Sequence, residues 1–213
     1  AKIDNIDRWG REFGLGELSG IDLPGEVRGV RASRETKKRL RASPYDQVWF
    51  PADTAQTAIG QFDNSFTILQ LARYTAGLAT GRLVTPHVLS GIVAADGTRI
   101  RTGGGPSIPI PVQESTLAAI RTAMVAVSAD REGTAHETFL DFPIPVACKT
   151  GTAETGFEDI SSSNALFICY APADNPQVAI AQIVEKGVWG SNTAGIARDL
   201  LEAYFGLDDE PAG

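Results

Sequence analysis

The chain has 213 residues, 43% of them hydrophobic and 21% charged, enough to bury a substantial core as one large domain or a piece of one. Its formal charge of -7, from 19 basic and 26 acidic side chains with no basic run, excludes a phosphate-backbone binder, whose affinity comes from Lys and Arg. No stretch approaches the ~18 apolar residues of a membrane helix, and Ala1-Lys2-Ile3-Asp4 lacks a leader pattern, so neither a span nor a signal peptide is expected within the chain.

Ile3, Ile6, Trp9 and Phe13 recur at helical spacing, which predicts a short helix over 4–13, with Asp4 suited to cap it and Gly14 to end it. The glycine-dense run 14–26, with its Pro24-Gly25 turn, reads as an ordered loop held by buried Leu and Ile anchors. Residues 28–45, rich in Arg and Lys, read as a solvated excursion. A helix with a small-residue face is expected over Thr67 to Thr80, through Ile68, Leu71, Ala72, Thr75, Ala76 and Ala79. Val84 to Val93 suits a strand despite Pro86, and the Ala95-Asp96-Gly97-Thr98 turn leads into a second one, while Gly103-Gly104-Gly105-Pro106 makes the next stretch irregular.

Leu117, Ile120, Met124 and Val127 predict a helix over Glu114 to Ser128. Three strand-like runs follow: Val146 to Ala153, Ala165 to Ala171 and Gln177 to Lys186, with a turn at Pro172 to Pro176 before the third. Asn192 to Phe205 reads as a closing helix with Ile196, Leu200, Leu201 and Tyr204 on one face. Strands followed by a helix that packs on one sheet face give an α+β class, an antiparallel sheet flanked by helices. One domain over 1–205 and an acidic tail over 206–213 are expected, with no internal repeat.

Cys148 and Cys169, the only cysteines, lie in apolar runs where a free, buried thiol is the common case. If those runs pair as neighbouring antiparallel strands, the two cysteines face each other and a disulfide is open to them. His87 and His136 have no partner at a metal-ligand or catalytic spacing and read as loop or surface residues, so no metal and no cofactor are expected.

The chemistry concentrates at Cys148-Lys149-Thr150-Gly151-Thr152-Ala153-Glu154, which sets a cation, two hydroxyls and a glycine in succession along a strand. Strand alternation sends Lys149 and Gly151 one way and Thr150 and Thr152 the other. Taken alone, such a tripeptide is an ordinary strand end, Lys149 a snorkelling side chain and the threonines β-branched strand formers. The long helix before it, the strand hairpin after it and the closing helix supply a context that gives it meaning.

With that context, five separated blocks resemble the class B penicillin-binding proteins, in the order that family shows them. Phe13-Gly14-Leu15-Gly16 through Gly20-Ile21-Asp22-Leu23-Pro24-Gly25-Glu26 is similar to the loop after the family's Ser-x-Asn motif. Ile59-Gly60-Gln61 with Thr67-Ile68-Leu69-Gln70-Leu71-Ala72 resembles its next helix start, and Lys149-Thr150-Gly151-Thr152-Ala153-Glu154 its third active-site motif. Asn164-Ala165-Leu166-Phe167 to Tyr170-Ala171-Pro172 and Asn175-Pro176-Gln177-Val178-Ala179 complete the match, which spans roughly residues 4–205. Phe62 and Ile68 depart from the small residue and the Pro usual in the family, as Gly81-Arg82-Leu83 does from an Asn-Gly-Gly turn.

The family's nucleophile sits in Ser-x-x-Lys, and no serine here has lysine three residues later: after Ser33 comes Thr36, with Lys37 one place too far. Ser162-Ser163-Asn164 fits Ser-x-Asn but follows the Lys-Thr-Gly motif instead of preceding it, and reads as a loop-to-strand junction. Both missing motifs are expected upstream of Ala1, which makes the chain the C-terminal part of the transpeptidase domain of the serine penicillin-recognising fold.

The resemblance implies a peptidoglycan cross-linking D,D-transpeptidase acting on D-Ala-D-Ala stem peptides through an acyl-serine, inhibited by β-lactams that acylate the same serine. It implies Lys149 and Thr152 as catalytic groups and Lys149, Thr150, Gly151 and Thr152 as substrate-binding residues, the Thr152 N–H serving as half of an oxyanion hole. Implied partners are the part of the same protein carrying the nucleophile, stem peptides, β-lactams and membrane proteins of cell-wall synthesis. The implied location is the outer face of the bacterial cell membrane, through an upstream anchor. A D,D-carboxypeptidase or β-lactamase, a β-lactam sensor and a non-catalytic cell-wall scaffold are the alternatives. Glu154 has no assigned role.

Overall fold

The computed structural model describes residues 2–100, 105–155 and 162–207. The chain divides into two compact units, 1–77 with 81–111 and 78–80 with 112–213.

In the first unit, helix α1 covers Ile3–Glu12 and ends at Gly14, whose φ is +77°. The capping position is Lys2, not Asp4. Asp4 lies in the first turn instead, where its charge meets the positive end of the helix dipole. The 14–26 loop is ordered, but by polar contacts: Leu18 and Leu23 are exposed, while the Glu26 carboxylate accepts from the Ser19 and Gly20 amides at 2.6 and 3.1 Å. The buried Gln70 amide donates to the carbonyls of Glu17 at 2.7 Å and Arg28 at 2.8 Å. A glycine-rich backbone exposes many peptide groups, so side-chain donors and acceptors fix it better than apolar anchors do.

The expectation of a solvated excursion over 28–45 is overturned. Ser33 caps helix α2, Arg34–Leu40, by accepting from the Thr36 amide, and Lys37 is only 5% exposed. Lys37 Nζ donates to Asp53 Oδ2 at 2.6 Å and the Val48 carbonyl at 2.8 Å, with the rings of Phe50, Phe62 and Trp49 within 5.9 Å. Phe62, the departure from the family pattern, takes a φ of +68° to close this box. A buried ammonium is tolerated because it is paired and faces ring quadrupoles. Asp53 also accepts from the Phe50 amide at 2.8 Å at the start of helix α3, Pro51–Ala58.

Helix α4, Ile68–Thr80, is opened by a reciprocal Thr67/Gln70 capping box and closed by Gly81 at φ +70°. Thr75 and Ala79 of the expected face are buried, and so are Gln70 and Arg73, which the expectation did not include, because each serves loop carbonyls; Arg73 Nε reaches Val84 O at 2.6 Å. The strand expected over 84–93 does not form. Pro86 interrupts the ladder, and the Asp22 carboxylate instead accepts from the amides of Val88 and Leu89 at 2.8 and 2.9 Å. Among the described residues β1, Arg82–Leu83, pairs with β4, Ile108–Pro109, and β2, Ile92–Val93, with β3, Arg99–Ile100. The expected hairpin is thus β2–β3, turning at Gly97, while Gly103 and Gly104 lie outside the described residues.

The second unit is the antiparallel part. Helix α5, Glu114–Ala129, leads through the single turn of α6, His136–Phe139, into a sheet of order β5-β6-β7: Ala147–Ala153, Asn164–Ala171 and Val178–Val184. A 3₁₀ turn, Gly190–Thr193, precedes helix α7, Ala194–Phe205, which Gly206 caps at φ +67°. Cys148, Phe167 and Cys169 pack in one core with Phe139 from α6 and Ala197 and Leu201 from α7. Of the face expected for α7, only Leu201 is buried; Ile196, Leu200 and Tyr204 are exposed, because the helix turns its small side toward the sheet through Ala194 and Ala197. Asn164 begins β6, so Ser162-Ser163-Asn164 is a loop-to-strand junction. The tail 208–213 lies outside the described residues.

Candidate functional site

Lys149 to Thr152 occupy β5, an edge of the sheet; among the described residues only β6 pairs with it. An edge strand offers unpaired backbone groups to which an extended peptide can add. The register sets Cys148 opposite Cys169, Thr150 opposite Phe167 and Thr152 opposite Ala165. Directly paired residues share a sheet face, so Thr150 and Thr152 lie on the face of the core cysteines and Lys149 and Gly151 on the other. Lys149 is exposed and donates to the Thr150 carbonyl at 2.5 Å, while the next three residues are half-buried.

Two segments hold the threonine face. The Gly190 amide lies 3.4 Å from Thr152 Oγ1, and a Cβ built on Gly190 would stand 2.4 Å from the Gly151 oxygen. At Gly151 itself a Cβ would meet nothing closer than Leu166 Cβ at 3.4 Å, an ordinary contact. The glycine that close packing demands is therefore Gly190. From the other side Thr134 places its hydroxyl 2.9 Å from that of Thr150.

Thr134 sits in a tightly wound turn after α5. The Gly133 amide donates to Asp130 O at 2.7 Å, Ala135 to Val127 O at 3.1 Å and His136 to Gly133 O at 3.0 Å. The His136 ring contributes a contact of 3.2 Å between Nδ1 and Ser128 O, and Ser128 Oγ donates to Val146 O at 2.5 Å, just before β5. A side chain at Gly133 would stand 2.3 Å from Val127 O. Thr134 and Gly190 escape sequence reasoning because neither belongs to a periodic segment; the one available signal is a glycine in each helix-flanking turn, Gly133 beside Thr134 and Gly190 itself. Beyond Ala153, Thr155 Oγ1 approaches Ser162 Oγ at 2.9 Å.

Cys148 and Cys169 are free thiols despite facing each other. Burial pushes Cys148 up to about 12, and Cys169 is raised too, by burial and by its neighbour. His87 is exposed in a loop. Among the described residues no cluster of His, Cys, Asp or Glu could hold a metal ion, and no helix is long and apolar enough to cross a membrane.

Residues 2–202 match the model of the penicillin binding protein transpeptidase domain. The peptidoglycan D,D-transpeptidase MrdA of Acinetobacter baumannii is 33% identical over 216 residues, covering 95% of this chain and 31% of that protein. A complex of penicillin-binding protein PBP2 with MreC from Helicobacter pylori contains a chain that superposes with a TM-score of 0.81 at 31% identity, over 97% of this chain and 36% of the other. Pseudomonas aeruginosa PBP2 in complex with WCK 5153 gives 0.80 at 30% identity, over 95% and 44%. The chain thus spans about a third of the length of the curated relatives it matches.

Proposed function

This chain belongs to the penicillin-binding protein transpeptidase-domain family, and from that premise we propose that it forms the Lys-Thr-Gly part of a peptidoglycan cross-linking D,D-transpeptidase. The observation that carries this reading is β5, an edge strand that carries Lys149, Thr150 and Thr152 and, among the described residues, has a neighbouring strand on one side alone. A D-Ala-D-Ala stem peptide lies along that edge as an added strand, with Gly151 leaving room for its backbone. The Thr150 and Thr152 hydroxyls hold its terminal carboxylate, and the Lys149 ammonium makes the pocket electropositive.

The reaction is acyl transfer in two halves. A serine hydroxyl, which belongs to a Ser-x-x-Lys segment not found among these residues, attacks the penultimate D-alanine carbonyl. The C–N bond breaks, and the last D-alanine leaves with a proton on its nitrogen. An amine of a second stem then attacks the ester, its nitrogen forming the cross-link amide as the C–O bond to serine breaks and giving up one of its own protons to the serine oxygen. The Thr152 N–H and the nucleophile's own N–H stabilise the oxyanion in both halves. β-Lactams acylate the same serine. The domain extends over 1–205, and the protein works at the outer face of the cell membrane through an anchor outside this chain, with cell-wall synthesis proteins such as the MreC bound by its H. pylori relative.

The test uses the full-length protein and a fluorescent penicillin. Wild type is labelled covalently, and Lys149→Ala slows acylation by at least about tenfold, or ~1.4 kcal/mol of barrier. A rate within about threefold of wild type removes Lys149 from the mechanism. Absence of labelling in wild type favours a scaffold, and rapid release of the acyl group to water favours a carboxypeptidase or β-lactamase.

A further inference from the structure

We infer that Thr134 is a positioning residue for the substrate carboxylate, acting through Thr150. The inference rests on the reading of Thr150 as a carboxylate-binding hydroxyl. Thr134 Oγ1 and Thr150 Oγ1 are 2.9 Å apart, so one of them donates to the other. A threonine hydroxyl has a single proton and two acceptor lone pairs. If Thr150 donated to Thr134, its proton would be spent there and its lone pairs would face an anion. If Thr134 donates, Thr150 keeps its proton for the carboxylate, and accepting a hydrogen bond makes it a stronger donor.

An incoming carboxylate selects the second orientation, since it offers only acceptors. Thr134 can serve in this way because its turn is fixed. The Gly133, Ala135 and His136 amides all bond backward within the segment, and the 2.3 Å approach of a Gly133 Cβ to Val127 O shows how closely that turn lies on α5. Ser128 is bonded to Val146 O, which keeps the end of α5 in register with the start of β5. The Thr134 hydroxyl is therefore presented to Thr150 without a further ordering cost, and both side chains are accessible to a ligand.

The test compares Thr134→Val, which removes the hydroxyl while keeping the shape, with Thr134→Ser, which keeps it. Both are made in the full-length protein, beside Thr150→Val. Acylation is followed with a β-lactam carrying its free carboxylate and with the same β-lactam converted to the neutral amide. Thr134→Val should weaken the free-carboxylate reagent about fivefold, as the loss of one neutral hydrogen bond predicts, through the concentration for half-maximal rate and not through the maximal acylation rate. It should leave the amide unchanged, and Thr134→Ser should restore wild-type behaviour within about twofold. Equal losses on both reagents, or no loss on either while Thr150→Val discriminates between them, overturns the role of Thr134. Failure of Thr150→Val itself to discriminate overturns the substrate reading beneath it.

Discussion

Gly190 and Gly151 meet backbone to backbone. A Cβ on Gly190 would stand 2.4 Å from the Gly151 oxygen, 2.6 Å from its nitrogen and 2.7 Å from the Leu166 oxygen, all main-chain atoms of β5 and β6. The 3₁₀ turn therefore rests directly on the strand that carries Lys149 to Thr152.

Gly190→Ala has no cheap outcome, because the atoms in its way are held by the ladder between β5 and β6. It should destabilise the fold by about 1–3 kcal/mol, the range for overpacking, and should reduce penicillin acylation further than stability accounts for by displacing Thr152. Gly195→Ala is the control, since a Cβ there meets nothing within 4 Å and sits in α7. That change should be neutral or stabilise by about 0.5 kcal/mol. Urea denaturation of both variants decides the matter, and equal midpoints would contradict the contact.

Lys37 and Asp53 give a second prediction, at a pair outside β5. The ammonium is buried, bonded to Asp53 Oδ2 at 2.6 Å, so Asp53→Ala should cost about 3 kcal/mol by stranding a charge. Replacing both, as Lys37→Met with Asp53→Asn, should recover much of that loss. Burial alone would raise the Asp53 carboxyl, but the hydrogen bonds from Lys37 and the Phe50 amide and the nearby Lys37 and Arg41 charges outweigh it and hold the group below 3.8. A depressed carboxylate gives its stability above the unfolded value and loses it as pH falls through the folded one. Wild type should therefore weaken below about pH 4, and the double variant should show a shallower decline there in thermal melts.

The second unit was largely legible in the sequence because its apolar residues are periodic: α5, the three strands and α7 stand close to where spacing placed them. The first unit was less so. Lys37 looks like a solvated cation until Asp53, Val48 and three rings far along the chain converge on it, and no local pattern encodes that meeting. The 14–26 loop was read through its Leu and Ile residues, whereas Gln70 and Glu26 supply side-chain hydrogen bonds to it. At the candidate site, Lys149 to Thr152 announced themselves as consecutive residue types, while Thr134 and Gly190 matter through tertiary position alone.

The paired thiols yield the last prediction. Cys148 and Cys169 lie opposite each other and are fully buried, so a water-soluble disulfide reagent cannot reach them, and with Cys148 pushed up to about 12 it carries almost no thiolate at neutral pH. Neither should react at pH 8 in the native protein, and both should react once urea unfolds it. The raised values also set a sign: between the ordinary thiol value of 9.0 and about 12, the unfolded chain ionises first. Stability should then fall as pH climbs through that window. Replacing both cysteines by alanine should remove their part of the fall, at the cost of a small cavity in the core beneath β5 and β6. Thermal melts from pH 8 to 10.5, run beside thiol labelling, would show it; labelling of the native protein as fast as of the unfolded chain would mean that the core on the Cys148 face of β5 opens readily.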